Sequence, residues 1–266
     1  MKPKFSVILN TFERISRTKD IARCLKCVLS QTFKANEIIV VNSGDNILKI
    51  NKIKNNKLKI FNLKKKTSIS EARNFGANNA KNQYLAFIDD DDLWGNNYLE
   101  DSKNFILKNN AMVLLSTVYS TINGKKILFR QPFSNSLNDY LNTNAGAMGS
   151  NLIIHKKIFK SVKGYDKKLL VGEDKGIIMD LIIKKNKIFF QKNKVWYNLD
   201  TPKSITKQPS KMIDGLTAFL KKYNKYMKKS NEIFIKKKIY SYKKKQNFFY
   251  FLHFIFYFIC EKFSIE

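Results

Sequence analysis

The stretch Tyr84-Leu85-Ala86-Phe87-Ile88-Asp89-Asp90-Asp91-Asp92 decides the fold. Its five leading residues form an unbroken apolar run, the pattern of a strand buried on both faces. Four carboxylates follow at once. Adjacent anions repel, so placing them at the end of a buried strand costs energy unless a cation offsets them. Open α/β sheets bind ligands just beyond the carboxyl ends of their strands. Oxygen donors suit hard cations such as Mg²⁺ and Mn²⁺, which commonly bridge carboxylates to substrate phosphates. The same residues also read as an acidic turn opening the next helix. Spacing alone leaves both readings open.

Upstream, Phe5–Leu9 reads as a strand, and Ile21, Leu25, Val28 and Leu29 repeat at helical spacing behind a Thr18 N-cap. Glu37–Val41 is a β-branched run ending in the turn Asn42-Ser43-Gly44, Lys59–Phe61 a shorter strand, and Ser70–Ala80 a helix. Downstream come a helix at Tyr98–Lys108, a strand at Ala111–Tyr119 and a looser stretch to Gly149. A strand at Asn151–Ile154, a helix at Gly172–Lys185, and short strands at Ile188–Phe190 and Val195–Tyr197 complete the pattern. This alternation predicts βαβ units and a mainly parallel sheet flanked by helices.

The chain has 266 residues, 44% of them hydrophobic, enough to build a core. Ten glycines and four prolines exclude collagen-like and low-complexity architectures. No apolar run reaches the ~20 residues of a membrane-spanning helix. Met1-Lys2-Pro3-Lys4 leads straight into a strand without the apolar segment of a signal peptide, so a cytoplasmic location is expected. The formal charge is +29, which favours polyanions as partners: nucleic acid, an anionic leaflet or phosphorylated substrates. Lys and Asn are abundant and Arg is rare, so an AT-rich coding bias is the alternative source of the lysines. Residues 201–266 alone hold 15 lysines against four acidic residues.

Three cysteines are present, and Cys24 and Cys27 form a CxxC spacing. A second pair for zinc is missing, and both lie within the helical pattern, so they read as reduced core cysteines. From Ser210 the character changes. Met212, Ile213, Leu216, Phe219, Leu220, Tyr223 and Met227 form one helical face with lysines opposite. The Lys236–Lys238 and Lys243–Lys245 triplets follow, then the aromatic run Phe248–Cys260. A thirteen-residue helix reaches only ~20 Å, short of a bilayer core. Such a segment fits a membrane interface, or packing on the domain or a second subunit. The division expected is a catalytic domain over 1–205 and a basic, aromatic helical extension over 206–266.

Four stretches, in order, resemble the family 2 glycosyltransferases, nucleotide-sugar-dependent enzymes of GT-A type Rossmann-like fold. They are Ser6-Val7-Ile8-Leu9-Asn10-Thr11-Phe12; Ser30-Gln31-Thr32-Phe33 with Glu37–Val41; Glu71-Ala72-Arg73-Asn74-Phe75-Gly76 with Phe87-Ile88 and the four aspartates; and Lys163-Gly164-Tyr165-Asp166 with Gly172-Glu173-Asp174. The resemblance covers roughly residues 4–200. It implies that Asp91, with Asp89, holds Mn²⁺ or Mg²⁺ on the donor diphosphate. Asp89 and Asp90 would contact ribose and metal-bound water. Phe12 would lie against the nucleobase beside Asn10 and Thr11, and Arg73 would approach base and diphosphate. Asp174 would be the general base, with Glu173 beside it. One base without a protein nucleophile implies a single displacement that inverts the anomeric centre.

Two positions depart from the family pattern. Its second strand usually ends in paired aspartates, where this chain has Asn42 and Ser43. Trp196-Tyr197-Asn198-Leu199-Asp200 stands where many members carry a histidine. The QxxRW motif of processive synthases is absent, so one sugar per acceptor is expected. The expected partners are a nucleotide sugar, a saccharide acceptor on a polyprenyl diphosphate, and the anionic inner leaflet of the cytoplasmic membrane. That makes a peripheral membrane enzyme of bacterial surface-glycan synthesis. A basic nucleic-acid-binding protein would explain the charge but not four aspartates, so no nucleic-acid partner is expected. A degenerate scaffold relative is opposed by the intact Asp91 and Asp174.

Overall fold

The computed structural model describes residues 2–12, 18–44, 46–50, 55–63, 67–122, 125–197 and 208–244. The aromatic run at 248–260, with Cys260, and residues 198–200 lie outside them.

Phe5–Thr11 (β1) and Glu37–Asn42 (β2) are buried at every position, as their apolar runs predict. Thr18–Leu29 (α1) connects them and turns Ile21, Cys24, Leu25 and Val28 inward. Leu58–Asn62 (β3), Ile69–Asn79 (α2) and Tyr84–Asp89 (β4) follow. These strands form a parallel block in the order β3-β2-β1-β4. Beyond β4 the sheet becomes mixed. Leu93–Trp94 (β5), Tyr98–Asn109 (α3), Val113–Ile122 (β6), Lys125–Arg130 (β7) and Leu137–Asn142 (α4) come next. Leu152–His155 (β8), Lys156–Ser161 (α5), Glu173–Ile183 (α6) and Phe189–Tyr197 (β9) complete the described part of the sheet layer. The order continues β4-β8-β6-β9-β5, with β7 against β6. β8 runs antiparallel to β4 and β6, whereas β6 and β9 are parallel.

Most expected elements stand within about two residues of their predicted bounds. β9 is one strand rather than two short ones, with a register shift opposite Ser116/Thr117. The looser stretch to Gly149 contains β7 and α4, which carry little apolar periodicity of their own.

α2 shows how local sequence fixes placement. Ser68 and Glu71 form a reciprocal capping box. A Cβ at Gly76 would lie 2.6 Å from Ile8 Cγ2, so glycine lets α2 sit close on β1. Cys24 and Cys27 are both free thiols; Cys27 Sγ accepts from the Trp94 backbone N–H at 3.2 Å. Burial raises both thiol pKa values, in keeping with core cysteines.

Pro209–Tyr223 (α7) and Lys229–Lys244 (α8) follow the sheet. Phe219, Tyr223, Ile235 and Ile239 belong to the same buried cluster as Ile8, Phe87 and Leu152. The described helices α7 and α8 thus share one core with the sheet. Phe219→Ala should therefore cost about 3–5 kcal/mol. Calorimetry should show one transition moving to lower temperature, with no separate transition for the C-terminal helices.

Candidate functional site

The carboxyl ends of β1, β2 and β4 meet. Asn10 pairs in register with Asp89, and Thr11 with Asn42. Arg73 of α2 reaches into this junction with its side chain 1% exposed. Its Nε donates to Asn10 Oδ1 at 3.2 Å, one terminal nitrogen to Asp89 Oδ1 at 2.8 Å, and the other to Glu173 Oε1 at 2.8 Å. The guanidinium carbon also lies 5.1 Å from the centre of the Tyr165 ring. Burial opposes the charge, but Asp89, Tyr165 and Glu173 more than compensate, so Arg73 stays firmly protonated.

Asn74 makes the adjoining link. Its amide donates to the Tyr165 carbonyl at 2.7 Å and accepts from the Tyr165 N–H at 2.9 Å. Two successive residues of α2 thus hold the segment leading to α6. Gly149 closes the other side. A Cβ there would lie 2.0 Å from an Arg73 terminal nitrogen and 2.6 Å from Asp89 Oδ2, so only glycine leaves room.

The four aspartates divide by environment. Asp90 and Asp92 are buried, at 2% and 1% exposure. Asp90 accepts from Thr11 Oγ1 at 2.5 Å, and Asp92 accepts from Ser150 Oγ. Ser150 Oγ also accepts from the Asp89 N–H at 2.9 Å, tying the turn to the strand end. Asp89 and Asp91 are only partly buried. Among the described residues no three His, Cys, Asp or Glu side chains form a ready-made metal cage. Mg²⁺ is usually held by one or two carboxylates together with substrate phosphates. The pair Asp89 and Asp91 therefore fits a hard cation that arrives with a diphosphate.

Glu173 and Asp174 occupy the first turn of α6, where the helix N-terminus favours negative charge. The Lys175 N–H donates to Asp174 Oδ1 at 2.6 Å. The Asp174 pKa is nonetheless pushed up to about 7, first by burial and then by the Glu173 charge; Arg73 and Arg130 pull it back only in part. A carboxyl poised near neutrality suits a proton acceptor.

Asn42 and Ser43 are buried beneath the loop after β2. Asn42 Nδ2 donates to Asn46 O and Asn62 Oδ1, and its Oδ1 accepts from the Gly44 N–H. The amide thus braces the loop itself. Phe12, half-buried, closes β1 beside Thr11.

Sequence reasoning missed Gly149, Ser150 and Arg130, and named Tyr197 only within the segment that stands where many family members carry a histidine. Their positions in loops or at strand ends give no periodic signal. Asp92, Asp91, Asp89 and Asp174 all act on the Tyr197 phenol, whose pKa burial already raises, to about 12. The described end of β9 therefore faces the acidic cluster with a phenol. Two open clefts of about 600 and 710 Å³ border the segment before α6, sharing Asn74, Lys163, Gly164 and Lys167. Neither is lined by Asp89, Asp91 or Asp174.

The sequence profile described as Glycosyl transferase family 2 matches residues 6–163. An uncharacterized glycosyltransferase of Rickettsia conorii is 36% identical over 126 residues, 46% of this chain and 20% of that protein. TarP of Staphylococcus aureus, a poly(ribitol-phosphate) beta-N-acetylglucosaminyltransferase, is 34% identical over 119 residues, 42% of this chain and 36% of TarP. WfgD of Escherichia coli, a UDP-Glc:alpha-D-GlcNAc-diphosphoundecaprenol beta-1,3-glucosyltransferase, is 30% identical over 111 residues, 41% of this chain and 44% of WfgD. The chain thus spans about a fifth to under half of these relatives. Among solved structures, S. aureus TarS 1–349 in complex with UDP-GlcNAc superposes with a TM-score of 0.59 at 19% identity, covering 82% of this chain and 66% of that one. This likeness carries the fold.

Removing one partner of a buried ion pair strands the other charges. Arg73→Met should therefore destabilise the fold by about 3 kcal/mol in urea unfolding, the low end for a buried pair because Asp89 and Glu173 keep some solvent.

Proposed function

The chain belongs to glycosyl transferase family 2, and we propose that it is a metal-dependent, inverting glycosyltransferase acting on a nucleotide sugar. The observation that carries the reading is the Arg73 junction. Arg73 joins Asn10 and Asp89, at the strand ends, to Glu173, which neighbours the near-neutral carboxyl of Asp174. A donor-binding edge and a proton acceptor are thus held on one rigid support.

In this reading Asn10, Thr11 and Phe12 border the nucleoside, with Asn42 and Ser43 shaping the floor of its pocket. Asp90 holds Thr11 in place, and Asp91 with Asp89 would hold Mn²⁺ or Mg²⁺. When bound, that cation offsets the charge gathering on the departing diphosphate. Asp174 takes the proton of an acceptor hydroxyl. The acceptor oxygen bonds to the anomeric carbon as the carbon–phosphate-oxygen bond breaks, and configuration inverts.

The donor and acceptor classes follow the relatives. TarS binds UDP-GlcNAc, and WfgD acts on a diphosphoundecaprenol-linked sugar. A UDP-sugar donor and a polyprenyl-diphosphate-linked saccharide acceptor of surface-glycan synthesis are proposed here on that basis. No helix among the described residues is long and apolar enough to cross a membrane. Residues 245–266, with the lysines of α8, are proposed to hold the protein at an anionic leaflet through charge and aromatic insertion together.

Asp174→Asn should retain UDP binding and cut transfer by ~10²–10⁴-fold. The base works as a carboxylate. In the wild type, kcat/KM should therefore fall as pH drops below about 7. Normal turnover in the variant would move the role elsewhere. In thermal melts, UDP should stabilise the protein more with Mn²⁺ than with EDTA, and Asp91→Ala should erase the difference; equal shifts in wild type would sink the metal assignment. Truncation after Lys244, which spares the buried Ile235 and Ile239, should leave UDP binding intact and abolish sedimentation with phosphatidylglycerol vesicles. Retained sedimentation would remove the membrane role from the last 22 residues.

A further inference from the structure

α7 packs closely on both the loop before α6 and the first turn of α6. A Cβ at Gly215 would lie 2.8 Å from Val171 Cβ and 3.1 Å from Val171 N, so α7 touches the backbone immediately before Gly172 and Glu173. One turn into α6, a Cβ at Gly176 would lie 2.5 Å from Leu169 Cδ1 and 3.3 Å from the Tyr223 hydroxyl. That hydroxyl lies 2.9 Å from the Gly176 carbonyl and 3.0 Å from Asp180 Oδ1, and it has one proton to share between them. Lys222 then bridges Asp180 Oδ2 at 2.7 Å and Asp166 Oδ2 at 2.9 Å. The loop before α6, its first turn and its middle are therefore each held by one helix. From the other side, Arg73 of α2 holds Glu173, the first residue of α6.

From these contacts we infer that α7 is a positioning element, with Gly215 and Tyr223 setting where Asp174 stands relative to the Arg73 junction. The inference rests on the assignment of Asp174 as base. Tyr223 and Gly215 act through α6 and do not touch substrate.

The charges around Asp174 come from every side. Glu173 shares its turn, Arg73 faces it from α2 and Arg130 from β7. The next residue, Lys175, stacks on the Phe219 ring of α7 with Nζ 3.8 Å from its centre, and Lys238 of α8 repels it. Burial within this packing, with Lys238 adding to it, lowers the Lys175 pKa to about 7. A shift of α6 away from α7 would let water reach both Lys175 and Asp174, and each would move toward its ordinary value.

The test uses the full chain, ¹³C-labelled at aspartate carboxyls, with Asp174→Asn identifying the resonance. The wild-type carboxyl should titrate near 7. In Gly215→Ala the midpoint should fall by about one unit, a fraction of the 3–5 units that full burial can impose. Tyr223→Phe should show a smaller fall in the same direction. UDP–Mn²⁺ affinity should stay unchanged in both, while kcat for UDP release from UDP-GlcNAc drops ~10-fold in Gly215→Ala, as displaced catalytic groups do. An unchanged midpoint in both variants, with only a lower melting temperature, overturns the inference and leaves α7 as packing. If Gly215→Ala fails to fold, the direction of the Tyr223→Phe shift decides. Full turnover in Asp174→Asn is a different failure: it removes the base assignment, and this inference with it.

Discussion

One buried cation organises this molecule. A guanidinium taken out of water is costly unless its donors and charge are met. Arg73 meets that requirement with Asn10, Asp89 and Glu173, drawn from β1, β4 and α6. Much else follows from satisfying it. α2 must begin where Ser68 and Glu71 cap it, because a one-residue shift would turn Arg73 away from the strand ends. Position 149 must lack a side chain, since a Cβ would fall on the guanidinium. The segment before α6 must return to α2, and Asn74 grips Tyr165 to bring it there.

The arrangement separates two sets of carboxylates into different environments. At the strand ends, two aspartates are buried against hydroxyls and two stay partly open to solvent. At the start of α6, Glu173 is paired with Arg73, whereas burial and the Glu173 charge push the Asp174 pKa up to about 7. Sites that push such groups apart can run metal binding and proton transfer side by side. The support for Asp174 comes from both directions, from the sheet through Arg73 and from the C-terminal helices through Tyr223 and Gly215.

Much of this was legible in the sequence. The apolar runs at β1, β2 and β4 carry their own signal because strands buried on both faces are continuous in hydrophobicity. The family resemblance implied that Arg73, the four aspartates and Glu173-Asp174 share one site, and the structure brings Arg73, Asp89 and Glu173 together. Other features were not readable. β7 and α4 are held by long-range pairing rather than by periodic patterning. Gly149 and Ser150 matter only because of what the fold places beside them. The lysine-rich face of α7 and α8 reads as a surface-seeking extension, yet their apolar stripes are filled by the core beneath. Amphipathicity shows that a face will be covered and leaves open by what.

A crystal structure of the protein with UDP and Mn²⁺ tests the central claim most directly. The account predicts the diphosphate and cation at Asp91 and Asp89, with Arg73 still bound to Glu173 and Asp174 facing the open side of the diphosphate. A nucleotide seated instead in the lysine-lined clefts beside Lys163 and Lys167, with the aspartate turn empty, would contradict it.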